Sequence, residues 1–476
     1  MNSSLLEALG RIVGPRWVRH RRAELTTYTM DGLPTHSSVP GAVVVPGSRR
    51  EVVEVVRLLH VLGVPFVARG AGTGLSGGAL ADPDAVLIAL TRLNRVLRVD
   101  PRRRRAVVEP GVVNARLSEA VAPHGLHYVP DPSSQAACTV GGNVAENAGG
   151  PHCLKYGVTT NHIVRLEVVL PDGTSATLGS PHGDPWGPDL VGLFVGSEGM
   201  FGIALEITVR LEPIPPAVRT LLAAFSSVRA ASEAVSAVIA AGIVPAALEM
   251  MDQACVAAVE ASIYAAGYPT DAAAVLLVEV DGQPAQVEAE SAAVERLLHS
   301  HGAGSVLSAS APADRMRLWQ GRKKAFGAMG RIAPDLAVQD AVVPRSTLPD
   351  ILDRIGEIRD RHRLSISNVF HAGDGNLHPN ISFDRRDADL AARVKEASAE
   401  IMAVCVAAGG SITGEHGVGN DKMHYMPWIF DAESLGAMQA VRRVFDPAER
   451  SNPGKVVPTR ACREWRAAGS ACVGAM

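Results

Sequence analysis

The stretch RGAGTGLSGG, residues 69–78, constrains the chain more than any other, because five of its ten residues are glycine. Gly72, Gly74 and Gly77 satisfy the G-x-G-x-x-G spacing of a dinucleotide fingerprint. That fingerprint needs a strand running in and a helix running out, with pyrophosphate on the helix N-terminus. The strand is present as VPFVAR, and ahead of it Ser48-x-x-Glu51 is a capping box opening an apolar-periodic helix that stops at Gly63. The helix after the loop is not. The chain continues GGALADPDAVLIAL, where Pro83 and the Asp-Pro-Asp turn block a helix and VLIAL is another strand. A Rossmann unit is therefore rejected. A glycine loop between strands can still receive phosphates, because successive backbone N–H groups form an anion nest.

Two further stretches of small residues follow: PDPSSQAACTVGGNVAENAGG at 130–150 and GSEGMFGI at 196–203. Each of the three loops is read as following a strand-like run, the last two after LHYVP and LVGLFV. Three such loops in one segment point to a single extended ligand threaded along them. Elongated, phosphate-bearing and partly apolar describes FAD. Past LEPIPPAVRT the composition changes, and Pro213, Pro215 and Pro216 mark a boundary. Alanine-rich helical segments (VRAASEAVSAVIAAG, PAQVEAESAAVERLLHSHG) then alternate with strand runs such as AAVLLVEVDG, as in an α+β or α/β second domain.

At 476 residues the chain is too long for one core, so two or three domains are expected. A net charge of −3 implies no general affinity for nucleic acid. The one dense basic run, 102–105, reads as a solvated turn between strands. None of the six cysteines, Cys138, Cys153, Cys255, Cys405, Cys462 and Cys472, forms a C-x-x-C pair, so neither an iron–sulfur cluster nor a zinc knuckle is indicated. MNSSLLEALGRIVGPRW has no apolar signal-peptide core, and no run of about 18 apolar residues occurs. A cytoplasmic location is expected, with at most peripheral membrane association.

Chemistry-bearing residues gather in the second half. In FHAGDGNLHPN (370–380), a type I′ turn centred on Asp374-Gly375 would set His371 directly opposite His378, with Cβ atoms about 4.5–5.5 Å apart. Two imidazoles so placed can chelate a divalent ion, and Asn380 falls on the same face. Two unrelated surface histidines are the competing reading of that spacing. Further on, the helix-like RVKEASAEIMAVCVAA stops at Gly409-Gly410, and GGSITGEHGVG presents Glu415 and His416 between glycines. His371, His378 and Glu415 would make a 2-His-1-carboxylate set for zinc, manganese or iron(II), leaving His416 as a general base. In LWQGRKKAFGAMGRI, the fork of Arg322 suits a carboxylate, whereas Lys323 and Lys324 fit a solvated helix face.

These stretches, with LEMMD, GEHGVG and NPGK, occur in an order that closely resembles the FAD-linked 2-hydroxy-acid dehydrogenases. That family includes the flavin subunit of bacterial glycolate oxidase and the D-lactate and D-2-hydroxyglutarate dehydrogenases. The resemblance runs from Asp31-Gly32 to Lys455. It implies an α+β fold of the vanillyl-alcohol oxidase / p-cresol methylhydroxylase type. An FAD-binding domain would span 1–215, a cap or substrate domain 216–425, and a C-terminal segment 426–476 would return to the FAD domain. The resemblance further implies that Arg69, Gly70, Ala71, Gly72, Thr73, Gly74, Ser76 and Gly77 wrap the FAD pyrophosphate. Asp131, Ser133, Thr139, Gly141, Gly142, Asn143 and Asn147 would line the flavin and its diphosphate. Glu198, Gly199, Gly202 and Ile203 would hold the adenosine end, and Asn452 would return to the flavin. His371, His378 and Glu415 resemble the metal ligands, with zinc placed ahead of manganese or iron. His416 resembles the base, and Asn380 and Arg322 resemble substrate contacts.

Two departures refine the expectation. Covalent members of the fold put a histidine in the first glycine loop; 69–78 has none, so non-covalent FAD is expected. The strand LAVQDAVVP (336–344) lacks the lysine of the 2-hydroxyglutarate enzymes, which favours a monocarboxylate. Oxidation of glycolate or D-lactate to the 2-oxo acid is thus the expected activity, the two substrates differing by one methyl group. A D-2-hydroxyglutarate-type dehydrogenase, an FAD-dependent ether-lipid synthase, a flavin-free zinc hydrolase and a non-catalytic assembly subunit are the alternatives. The resemblance also implies partner subunits, including an iron–sulfur electron carrier, and peripheral inner-membrane association through them.

Overall fold

Ser48 opens the first long helix as its spacing predicts: its Oγ accepts the Glu51 N–H at 3.2 Å, and Arg49–Leu62 stops at Gly63 in the left-handed conformation. Val52, Val55, Val56 and Leu59 recur at helical spacing and are fully buried. They pack with Leu5, Leu9 and Val13 of the helix Ser3–Val13 and with the strands Phe66–Arg69 and Val86–Ala89. Burying such a side chain contributes about 1.5–3 kcal/mol. The computed structural model describes residues 1–180 and 187–458. Cys462, Cys472 and the end of the 426–476 segment lie outside the described residues.

The chain forms two units. Among the described residues, one comprises 1–149, 158–180, 187–214 and 415–458; the other comprises 150–157 and 215–414. In the first, Ala42–Val44, Val86–Ala89 and Phe66–Arg69 lie parallel, with Val18–Arg19 antiparallel at the edge. The Arg49–Leu62 helix makes the crossover that a parallel pairing requires. A five-stranded antiparallel sheet follows, in the order Val96–Asp100, Arg105–Val108, Ile203–Arg210, Ile163–Val169, Ser175–Gly179. The basic run turns between its first two strands in water.

Two expectations fail here. LVGLF is the short helix Leu190–Phe194, capped by Asp189, whose carboxylate accepts the Gly192 N–H at 2.8 Å. The middle of the second small-residue stretch is also helical, Val140–Glu146, capped by Thr139 and ended by Asn147 at φ 51°. In both places a capping side chain outweighs the low helix propensity of glycine.

The second unit is built on a nine-stranded sheet. Ala303–Ala309, Ala217–Phe225, Ala274–Gly282, Ala247–Asp252 and Ser365–His371 run side by side, all antiparallel. Helices Gln253–Glu260, Pro312–Lys323 and Ala325–Met329 share a core with Leu222, Met251, Val275, Leu277 and Val369 of the sheet. Among the described residues, no helix is long and apolar enough to cross a membrane.

The expected hairpin at 370–380 forms with a different register. His371 pairs with Asn376 rather than with His378, and the loop spans the four residues 372–375. The neighbouring chain pulls it open: Gly373 N–H donates to Leu248 O at 3.1 Å, and Val343 N–H donates to Gly375 O at 3.0 Å. The register moves by two residues, and side chains alternate with a period of two, so His371 and His378 stay on one face as diagonal neighbours. Gly375 sits at φ 79°, and a Cβ there would overlap the Val343 carbonyl oxygen. Gly375→Ala should therefore destabilise the second unit by on the order of 1–3 kcal/mol, read as an earlier thermal transition; an unchanged transition would show that the loop relaxes without this constraint.

Candidate active site

Glu249 lies on Ala247–Asp252, directly across from His371, and has no exposure to water. Its two oxygens serve different partners. Oε1 accepts from His371 Nδ1 at 2.7 Å. Oε2 accepts from Arg322 Nε at 2.7 Å and lies 2.5 Å from Nη2. Burial pushes the Glu249 pKa up, but Arg322 and His371 outweigh it and hold the carboxyl below its ordinary range. An ionised Glu249 keeps the proton of His371 on Nδ1 and leaves the Nε2 lone pair as the outward ligand atom. Arg322 is 1 % exposed, and its Nη1 finds no hydrogen-bond partner. An unmet buried donor costs about 1–3 kcal/mol, which a bound anion would offset.

His378 is oriented in the same sense: Nδ1 faces the Gln339 carbonyl oxygen at 3.2 Å, which again leaves Nε2 as the ligand atom. The His371 and His378 rings are 5.2 Å apart and nearly perpendicular. Asn380 is buried, its Nδ2 donating to the His378 and Ser367 carbonyl oxygens at 2.6 and 3.4 Å while Oδ1 has no partner. His371, His378, Asn380 and Arg322, expected from sequence, therefore meet within the second unit. Asp340 joins them unexpectedly: Oδ1 lies 3.8 Å from His378 Nδ1, and Oδ2 accepts from Thr413 Oγ1 and Gly414 N–H at 2.6 and 3.0 Å. The next two residues of the chain, Glu415 and His416, open the return to the first unit, with His416 Nε2 3.9 Å from Glu415 Oε1.

In the first unit the first two small-residue stretches and the SNPGK segment supply buried polar atoms. Ser76 Oγ, Asn143 Nδ2 and Asn452 Oδ1 have no protein partner, which suits a polar ligand. Asn452 Nδ2 donates to the Gly78 carbonyl oxygen at 3.0 Å and also to that of Glu198. Other expected cofactor residues carry structural bonds. Thr139 caps its helix, Asn147 Oδ1 accepts the Thr160 N–H at 2.9 Å, and Arg69 Nη2 donates to the Met30 carbonyl oxygen at 2.7 Å. The Glu198 carboxylate accepts the Val418 and Gly419 N–H groups at 2.7 and 2.8 Å, tethering the chain just past His416. Gly417 sits at φ 84° where a Cβ would overlap both Glu146 and Glu198.

Glu146 was not expected from sequence. Burial, with Glu198 and Asp31 nearby, raises its pKa well above the usual carboxyl value. Folding thus keeps a proton that the unfolded chain releases near 4.5, so stability falls as pH climbs from there through the raised value. In FAD-free protein, Glu146→Gln should abolish that slope, and the variant should melt progressively higher than the parent as pH rises above the ordinary carboxyl value of 4.5. A constant difference across that range would show that Glu146 does not titrate in this way.

Two family models match the chain: an FAD binding domain over 40–179 and the C-terminal domain of FAD linked oxidases over 214–456. The chain is 47% identical over 466 residues to glycolate oxidase subunit GlcD of Escherichia coli (strain K12), covering 98% of this chain and 93% of that one. It is 33% identical to a D-lactate dehydrogenase of Anaerostipes hadrus, covering 88% and 89%. Among solved structures, p-cresol methylhydroxylase superposes with a TM-score of 0.81 at 16% identity, covering 95% of this chain and 96% of that one. An alkyldihydroxyacetonephosphate synthase superposes at 0.75 and 18% identity, covering 95% and 85%. At such identities the last two show the fold alone. The two-domain α+β architecture, the paired family models and the extent of the sequence matches together show that this chain belongs to the FAD-linked oxidases and is an FAD-binding oxidoreductase.

Proposed function

We propose that the protein oxidises a small 2-hydroxy acid, glycolate or D-lactate, to the 2-oxo acid, using non-covalent FAD and a divalent metal, zinc first. The observation that carries this reading is the buried Arg322 guanidinium, whose Nη1 has no partner, tied through Glu249 to an imidazole that presents Nε2. The names of the glycolate oxidase and D-lactate dehydrogenase relatives support the substrate class. FAD, when bound, accepts the hydride equivalent from C2 at its N5, and a divalent ion lowers the pKa of a hydroxyl it binds.

The chain's own residues supply the rest. Arg322 pairs the substrate carboxylate, and Asn380 offers Oδ1 to the substrate hydroxyl. His371 and His378 hold the metal through Nε2, with Glu415 as the carboxylate ligand; its peptide neighbour Gly414 is tethered by Asp340. His416 takes the hydroxyl proton. Ser76 of the 69–78 stretch, Asn143 of the 130–150 stretch and Asn452 of the C-terminal SNPGK offer their unmatched polar atoms to FAD. This chain has no C-x-x-C pair, so electrons leave to a partner subunit, a quinone, a cytochrome or oxygen; the resemblance to glycolate oxidase favours partner subunits, an iron–sulfur carrier among them.

Anaerobic addition of glycolate, D-lactate and L-lactate to the yellow protein tests the reading. Glycolate or D-lactate should bleach the oxidised flavin band, and L-lactate should not. His416→Ala should slow bleaching by about 10²–10⁴-fold with FAD retained; His371→Ala should lose the metal. A flavin that no hydroxy acid bleaches would move the function elsewhere on this fold.

A further inference from the structure

Resting on that reading, we infer that Glu249 is a positioning residue that couples metal affinity to substrate-carboxylate anchoring. The geometry separates this role from an ordinary ion pair. An arginine–carboxylate pair that only stabilises a core normally meets fork to fork, using both oxygens. Here Oε2 alone takes the Nε side of Arg322, while Oε1 takes His371 Nδ1. The division frees Oε1 to set the tautomer of His371, while Arg322 Nη1, on the edge away from Glu249, has no hydrogen-bond partner. Three elements converge on the one carboxylate: the Ala247–Asp252 strand, the Ser365–His371 strand across from it, and the Pro312–Lys323 helix.

A shared hold predicts a shared loss. Replacing the carboxylate leaves His371 free to turn or change tautomer and Arg322 free to swing, so both functions should fail together. An outer hydrogen-bond partner of a ligating histidine commonly accounts for about 10–100-fold in metal affinity.

The experiment uses FAD-loaded protein and two readouts, zinc affinity by competition with a chromophoric chelator and KM for glycolate. In Glu249→Gln, zinc affinity should fall about 10–100-fold and KM should rise about tenfold or more. Arg322→Lys keeps the charge but loses the fork; it should raise KM and leave zinc affinity near the parent value. Because Glu249→Gln strands a buried guanidinium and is at risk of misfolding, Glu249→Gln/Arg322→Gln removes both charges and should show the same loss of zinc affinity. Parent-like zinc affinity in either folded Glu249 variant overturns the coupling, as does a KM unchanged in Glu249→Gln. If the parent protein itself binds no zinc and is bleached by neither glycolate nor D-lactate, the hydroxy-acid reading fails, and this inference with it.

Discussion

A carboxylate wholly removed from water, shared between an imidazole and a guanidinium, is the interaction on which the second unit's polar centre depends. Burying Glu249 alone would drive it to accept a proton, and burying Arg322 alone would leave an uncompensated cation. Removing one member of such a pair costs about 3–5 kcal/mol, although an apolar replacement for the whole pair is often as stable. Stability alone therefore does not account for the arrangement. What it supplies is orientation: an Nε2 aimed outward from His371, and a guanidinium with one edge held and the other unmatched.

The first unit handles charge differently. Glu146 and Glu198 both have raised pKa values, chiefly through burial. The two N–H groups at Val418 and Gly419, with Lys422 and Lys455, oppose the effect at Glu198. At Glu146, Lys422 acts in that sense, against burial and the charges of Glu198 and Asp31. One carboxylate thus serves as an anchor for the backbone that follows His416, and the other carries the protonation strain. Both lie against Gly417, which explains why that stretch tolerates so little side-chain volume.

Much of this was legible from local chemistry. Pro83 after the glycine loop correctly excluded a Rossmann helix, because the residues that decide a loop's exit are adjacent to it; the chain there runs to the strand Val86–Ala89. The helices at Leu190–Phe194 and Val140–Glu146 were not legible, because one capping bond outweighed composition that reads as strand or loop. The hairpin at 370–380 was right in kind and wrong in register. Its turn residues suited a two-residue loop, but bonds to Leu248 and Val343, distant in sequence, widened it. The histidine pair survived because a slip of two residues returns every side chain to its own face.

Glu249 and Asp340 escaped for a related reason. Each is an acidic residue within a short strand-like run, LEMMD and VQDAVV, where periodicity reports only burial. A charge in such a run is itself a signal: a buried carboxylate needs partners, and the run around it offers none. For Glu249 the partners lie 73 and 122 residues further along, at Arg322 and His371. Nothing in local spacing points across such separations. Once the second unit forms, the Ala247–Asp252 and Ser365–His371 strands put Glu249 opposite His371, and the Arg322 helix closes on the remaining oxygen. A buried acidic residue in such a run is thus legible as a demand for cationic or hydrogen-bond-donating partners, while the identity of those partners is set by tertiary structure.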